Sequence, residues 1–240
     1  MQSKVYQPKI SIIIATYNAE NLIEKTLESI IYQTYENYEI IVIDGNSSDT
    51  TMLKVSNYSC YINHIVSEPD NGIYDAWNKG IILAKGDWIS FLGAGDIYYP
   101  DGLRSYVDYI LSSHEELDFV SSQIEMVNSF GKVLFKVGAK WEWPKLLKVM
   151  TVAHVGSMHS RNLFEIYGLF NSSYKIAGDY ELLLRPKDCL KAGYLAQVTV
   201  KMLYGGVSSS MKIFSEIKQL KIKTGGISKR AANFEFFINS

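Results

Sequence analysis

Four apolar runs, each followed by an amphipathic stretch, set the rhythm of the first half of the chain. KISIIIA (9–15) is a short β-branched run suited to a strand buried on both faces. In TYNAENLIEKTLESIIYQT, which follows, Ile23, Leu27, Ile30 and Ile31 recur at helical spacing. Asn18 or Asn21 can cap that helix. YEIIVIDG (38–45), INHIVSE (62–68) and DWISFLG read as further strands, each trailed by a helical pattern: SSDTTMLKVSNY, IYDAWNKGIILA and DGLRSYVDYILSS. Strand and helix in strict alternation predict an α/β fold with a mainly parallel central sheet and helices on both faces.

Beyond residue 118 the pattern changes. DFVSSQIEMV and GKVLFKVG predict a pair of strands joined around Ser129, Phe130 and Gly131. PKLLKVM and RNLFEIYGLF predict short helices, DYELLLRPKDCLKAG a longer one, and YLAQVTVKMLYGG a last strand. No linker, charge run or repeat divides the chain. The expectation is one compact domain with a regular half (1–118), a less regular half (119–210) and a basic amphipathic C-terminal segment (211–240). That segment sets Lys212, Lys218, Lys221, Lys223, Lys229 and Arg230 against Glu216 and Glu235, with Ile213, Phe214, Ile217 and Leu220 in an apolar stripe. Such a helix can rest on an anionic membrane or pack on its own domain with its lysines in water.

Composition narrows the classes. With 24 basic and 25 acidic residues among 240, nothing points to nucleic acid. Cys60 and Cys189 fit no metal or redox spacing. No apolar stretch of signal-peptide length precedes the first strand, and none reaches the 18 or so residues of a membrane span. The expectation is a cytoplasmic protein, peripheral at the inner face of the cell membrane if 211–240 binds there.

The strand ends carry the chemistry, because open α/β sheets bind ligands at the carboxyl ends of their strands. Thr16, Tyr17, Asn18 and Glu20 follow the first strand; Asp44 and Gly45 end the second. Asp70 and Gly72 follow the third, and Gly93, Ala94, Gly95 and Asp96 the fourth. Any one carboxylate is explained by a turn or cap. All of them on one rim repel one another unless a cation sits there, and a divalent metal shared with phosphates is the simplest. There is no G-x-x-x-x-G-K-[ST] loop, and ATYNAE replaces the G-x-G-x-x-G of dinucleotide enzymes.

SIIIATYNAE, YEIIVIDGNSSDTT, SEPDNGIYDAWNKGI, GDWISFLGAGD and YKIAGDYELLLR, in this order, resemble the inverting family 2 glycosyltransferases of the GT-A fold. The match runs from about residue 9 to 206 and is similar to the subgroup that builds surface polysaccharide. The resemblance implies a nucleotide-sugar-binding half (1–118) and an acceptor-binding half (119–210). It implies that Thr16, Tyr17, Asn18 and Glu20 wall the nucleoside, that Asp44 meets the base, commonly uracil, and that Asp70 and Gly72 lie near the ribose and sugar phosphate. Asp96 takes the last acidic place of the metal motif for Mn²⁺ or Mg²⁺, where the family usually has two or three acids. Asp179 matches the catalytic base, with Glu181 near the acceptor. The partners implied are a nucleotide-sugar donor, commonly a UDP-sugar, and a saccharide or lipid-linked acceptor. A non-catalytic sugar- or nucleotide-binding relative is the alternative that the thin metal motif leaves open. A nucleotidyltransferase is a further one, although its glycine-rich basic loop is missing.

His154 and His159, five apart in TVAHVGSMHS, are expected to point to opposite faces of a strand, which excludes a shared metal. Packing suits both, and His154 can alternatively line the acceptor pocket. Trp141 and Trp143 are expected in packing ahead of an acceptor platform.

Overall fold

The isoleucine-rich run forms β1 (Ile10–Thr16), and every residue of it except Ala15 is buried. β1 is followed by α1 (Ile23–Ile31), β2 (Tyr38–Asp44), α2 (Thr51–Ser56), β3 (His64–Ser67), α3 (Ile73–Leu83) and β4 (Trp88–Gly93). β5 (Ile97–Tyr98), α4 (Gly102–Ser112), β6 (Phe119–Val127), β7 (Val133–Val137), α5 (Trp143–Leu146) and β8 (Met158–Ser160) come next. α6 (Arg161–Tyr167), α7 (Gly178–Leu184), β9 (Ala192–Leu203) and α8 (Ile213–Lys223) complete the order. The structure is a computed structural model that describes residues 6–205 and 213–232.

β1 lies between β2 and β4, parallel to both, with Ala15 level with Ile43 and Gly93. Its side chains alternate, as the pleat requires. Ile13 joins Ile41, Phe91 and the α3 residues Tyr74, Trp77 and Ile81 on one face. Ile12 and Ile14 join Ile40, Leu92, Leu27 of α1 and Leu103 of α4 on the other. Each fully buried isoleucine or leucine contributes about 1.5–3 kcal/mol. α3 comes so close to β1 that a Cβ on Gly80 would stand 2.4 Å from Ile13 Cγ2, so this position has room only for glycine.

The second half makes the sheet mixed. β8 pairs antiparallel with β4 and with β6, His159 lying level with Ile89 on one side and Phe119 on the other. Two reversals leave β6 parallel to β4. β9 runs parallel to β6, β5 antiparallel to β9, and β7 antiparallel to β6. The order among the described residues is β3-β2-β1-β4-β8-β6-β9-β5, with β7 on β6. The parallel half, the flanking helices and the β6–β7 pair are as the sequence predicts. The antiparallel joins come from short strands whose partners local pattern cannot specify.

The apolar stripe of the C-terminal segment covers its own domain. Leu220 of α8 is fully buried in the core that holds α7, and Ile217 packs beside it. Lys221 Nζ donates to the Lys148 carbonyl. Part of the apolar stripe, Ile217 and Leu220, is thus used internally; Met211, Lys212 and 233–240 lie outside the described residues. No helix among the described residues is long and apolar enough to cross a membrane.

Candidate active site

The loops after β1 and β2 clasp each other. Asn18, held at φ 46°, donates its N–H to Ser47 Oγ (2.8 Å), and its side-chain oxygen accepts from the Ser48 N–H (2.9 Å). The Ala19 N–H donates to Thr51 Oγ1. Glu20 accepts from the hydroxyl and N–H of Thr50, which hold its carboxyl below the usual range. Thr16 is buried at the end of β1, and Tyr17 is left 65 % exposed. Asn18 and Glu20 therefore shape the loop, and Tyr17 presents the aromatic surface.

Asp44 is fully buried. It accepts from Ser67 Oγ (2.6 Å) and from the Ser47 N–H (2.9 Å) and hydroxyl. Its carboxylate is enclosed by its own loops and fixes how Gly45 and Asn46 leave the strand. Gly45 is where Asp70 comes in. A Cβ there would lie 2.7 Å from Asp70 Oδ2 and 3.4 Å from Tyr17 Cδ2, so Tyr17, Gly45 and Asp70 line one surface. Asp70 Oδ1 accepts from the Gly72 N–H (2.8 Å). Gly72 has φ 112°, which favours glycine, and it opens α3. Lys175 Nζ donates to the Asn71 carbonyl and ties this loop to the segment before α7.

Asp179 follows that segment, in the first turn of α7. Ala177 occupies the N-cap of α7, so Asp179 is not the cap of the helix it begins. Its Oδ1 accepts from the Tyr180 N–H (2.8 Å) and from Tyr74 Oη (3.0 Å). Gly178 lets the Tyr74 ring lie against the helix start, since a Cβ would meet the ring at 2.8 Å. Tyr74 is in the first turn of α3, so Asp179 belongs to the same edge as Asp70 and Gly72. Burial raises the Asp179 pKa; the two hydrogen bonds oppose the rise, and the charge of Glu216 adds to it. Glu216, on α8, accepts the N–H groups of Lys175 (2.8 Å), Ile176 (2.9 Å) and Ala177 (2.9 Å).

Glu181 is two residues along the helix from Asp179, roughly 200° around its axis, and points away. It pairs with Arg185 (2.5 Å) and accepts from Thr224 Oγ1 (2.9 Å). Arg185 in turn donates to the carbonyls of Tyr167 and Leu169. The acceptor role expected of Glu181 is thus corrected to a buried ion pair that joins α7 to the chain after α8.

Asp96 is buried after β4 and accepts the Gly93 N–H on Oδ2 (2.7 Å). Burial pushes its pKa up to about 7. An enclosed carboxylate with one donor suits a cation, whose charge offsets the desolvation. Among the described residues no three His, Cys, Asp or Glu gather as a ready-made metal cage. The donor set fits one protein ligand, with diphosphate and water completing the shell. A separate hollow of about 450 Å³, lined by Tyr6, Asp87, Trp88 and Arg161 among others, is at the opposite end of β4.

His154 lies in the aromatic core, not on an acceptor surface. Its ring stacks on Trp77 (5.2 Å) and Phe91 (5.8 Å), and neither ring nitrogen has a hydrogen-bond partner. It precedes β8, so strand alternation does not separate it from His159; the ring centroids are 4.8 Å apart. Trp141 is core as well. Burial lowers the His154 pKa from 6.5 to about 3 and that of His159 well below 6.5. Both stay neutral in the fold while the unfolded chain takes up protons below pH 6.5. Their contribution is whole above 6.5 and is lost as pH falls, at about 1.4 kcal/mol per pH unit for each histidine. His154→Phe should therefore soften the acid sensitivity: urea unfolding at pH 7.5 and pH 5 should show a smaller loss than in the wild type. An equal loss would mean that His154 is charged or hydrated in the fold.

Residues 11–149 match glycosyl transferase family 2. The chain belongs to this family. Among curated proteins, it is 29 % identical over 223 residues to a PGL/p-HBAD biosynthesis glycosyltransferase of Mycobacterium tuberculosis, covering 90 % of this chain and 86 % of that one. An uncharacterized glycosyltransferase of Rickettsia prowazekii is 29 % identical over 192 residues, covering 76 % and 59 %. Among solved structures, S. aureus TarS 1-349 in complex with UDP superposes with a TM-score of 0.72 at 18 % identity, over 95 % of this chain and 69 % of that one. The mannosyltransferase PcManGT of Pyrobaculum calidifontis, in complex with GDP-Man and Mn²⁺, gives 0.68 at 19 % identity, over 94 % and 66 %. The fold is GT-A, and the protein is a family 2 glycosyltransferase. Sequence assigns no site role to Tyr74, Lys175 or Glu216; Tyr74 and Lys175 sit inside the matching motifs, whereas nothing local ties Glu216 to the start of α7.

Proposed function

We propose that the protein transfers a sugar from a nucleoside diphosphate donor, a UDP-sugar, to a hydroxyl of a saccharide or lipid-linked acceptor with inversion, in the synthesis of surface polysaccharide. One observation carries the reading: Asp179, half-buried beside the Tyr17–Asp70–Gly72 surface, has its pKa raised while Tyr74 and the Tyr180 N–H fix one oxygen. The UDP of the TarS complex supports a nucleoside diphosphate donor, and the biosynthesis glycosyltransferase named for the mycobacterial relative supports a biosynthetic sugar transfer.

Asp179 takes the proton of the acceptor hydroxyl as that oxygen attacks the anomeric carbon from the face opposite the nucleotide. A single displacement inverts the configuration. Because both named bonds fall on Oδ1, Oδ2 is the oxygen directed to the acceptor. Tyr17 stacks on the base, and Asp70 with the Gly72 backbone holds the ribose and sugar phosphate. Asp96 is the protein ligand of Mn²⁺ or Mg²⁺, which when bound supplies a Lewis acid for charge on the departing diphosphate. A thermal-shift screen of UDP- and GDP-sugars with Mn²⁺, followed by nucleotide release with the stabilising donor, tests the reading. Stabilisation by no nucleotide sugar would reject it.

Glu216→Gln removes the charge and keeps one oxygen, which can still accept the Ile176 and Ala177 N–H groups; only the acceptor for the Lys175 N–H is lost. Asp179 acts unprotonated, so the rate rises with pH through its raised pKa. The negative charge of Glu216 holds that pKa up. Removing the charge should move the acid limb of the pH–rate profile to lower pH, while donor binding stays as it was. An unmoved limb would leave Glu216 a purely mechanical tie.

A further inference from the structure

The turn joining β6 to β7 carries Phe130, 93 % exposed and the most exposed of the large apolar side chains described. β7 has β6 as its strand partner, and Val133, Leu134, Phe135 and Val137 along it are 38–45 % exposed. Lys132 stands beside Phe130 in the turn, while Lys136 on β7 is paired with Glu125 of β6 (3.4 Å) and Lys140 lies past the base of the hairpin. An exposed apolar strand of this kind marks a contact surface rather than an ordinary solvated face.

Its position is set by the ladders. β6 runs parallel to β4, so its end points to the same edge as Asp44 and Asp96. Ile97 and Glu125 both lie level with Lys201, and the turn begins three residues beyond Glu125. At about 3.3 Å per residue, the tip clears the level of Asp96 by on the order of 10 Å. The hairpin is therefore a projection beside the open edge of the site, with an aromatic and a lysine, Phe130 and Lys132, at its tip.

We propose that this hairpin seats in the headgroup layer of a bilayer containing anionic lipid, Phe130 entering the interface and Lys132 beside it meeting lipid phosphate. A second copy of the chain is the poorer occupant, because lysine on an edge strand opposes strand-to-strand pairing. A membrane accepts both features: aromatic rings settle at headgroup depth, and a lysine gains from the negative surface potential. The use of the contact, bringing the site to a lipid-linked acceptor, rests on the function proposed above; the binding itself does not.

The test is co-sedimentation of the full chain with vesicles of phosphatidylcholine alone or mixed with phosphatidylglycerol. The wild type should pellet with the mixed vesicles only, and less at high salt. Phe130→Ser combined with Lys132→Glu should weaken partitioning by about tenfold or more while leaving the melting temperature and the release of nucleotide from donor unchanged. Phe130→Trp should shift its emission to the blue on mixed vesicles. A wild type that stays in solution, or a double variant that pellets equally, overturns the proposal. So does a wild-type dimer that Phe130→Ser turns into a monomer. Loss of donor turnover in Asp179→Asn with vesicle binding intact keeps the two readings apart.

Discussion

Asp179→Asn should lower sugar transfer by about 10²–10⁴-fold, the range that a positioned general base contributes, with donor affinity and melting temperature close to wild type. Asparagine has nearly the same shape, and its side-chain oxygen can still accept from Tyr74 Oη and the Tyr180 N–H, the two bonds that hold the wild-type carboxylate. What it lacks is an oxygen able to take a proton. The substitution also removes a negative charge whose burial is costly, so the fold has no reason to weaken. Measuring donor affinity by calorimetry and turnover by nucleotide release on the same preparation separates binding from chemistry. Turnover within threefold of wild type would remove Asp179 from the role of base.

Asp96→Asn should have effects of opposite sign on function and on stability. In the presence of Mn²⁺, the gain in nucleotide affinity that the metal confers should fall by at least about tenfold, since even indirect partners of a metal site are worth that much. Without metal the same variant should be the more stable protein at pH 8. The pKa of Asp96, about 7 against an ordinary 3.8, means that the folded state holds this proton more tightly than the unfolded chain. The stability it contributes is whole below pH 3.8 and is lost as pH rises to 7, by about 4 kcal/mol at most. Asparagine keeps the acceptor for the Gly93 N–H and carries no charge to bury. Chemical unfolding at pH 5 and pH 8 in chelator should show a gain for the variant at pH 8 well above that at pH 5. Equal metal-linked affinity in variant and wild type would remove Asp96 from the metal.

The parallel half was legible because its strands are continuous apolar runs and its helices keep a strict period, a pattern with one packing solution. The motifs at the strand ends come together in space, the loop of Asp70 and Gly72 lying against the start of α7 that bears Asp179. What sequence could not resolve was the direction of individual side chains. Asp44 reads as an open carboxylate until Ser67, 23 residues away, closes over it. Glu181 looks like a neighbour of Asp179 in the chain and is turned from it by the helix, while Arg185, one turn on, claims its charge. His154 has the chemistry of a site residue and the surroundings of a phenylalanine. Asp44 and His154 depend on long-range packing that no local window contains, whereas the Glu181–Arg185 pair is a contact within one helical turn.

Glu216 follows Lys175 by 41 residues, and it is the side chain that fixes the three backbone N–H groups leading into α7. A ribosome therefore finishes every motif by which this family is recognised well before it makes the piece that locks Asp179 in place. A chain cut short after β9 would still read as a glycosyltransferase in sequence and would lack the carboxylate that holds the entry into α7, where the proposed base stands.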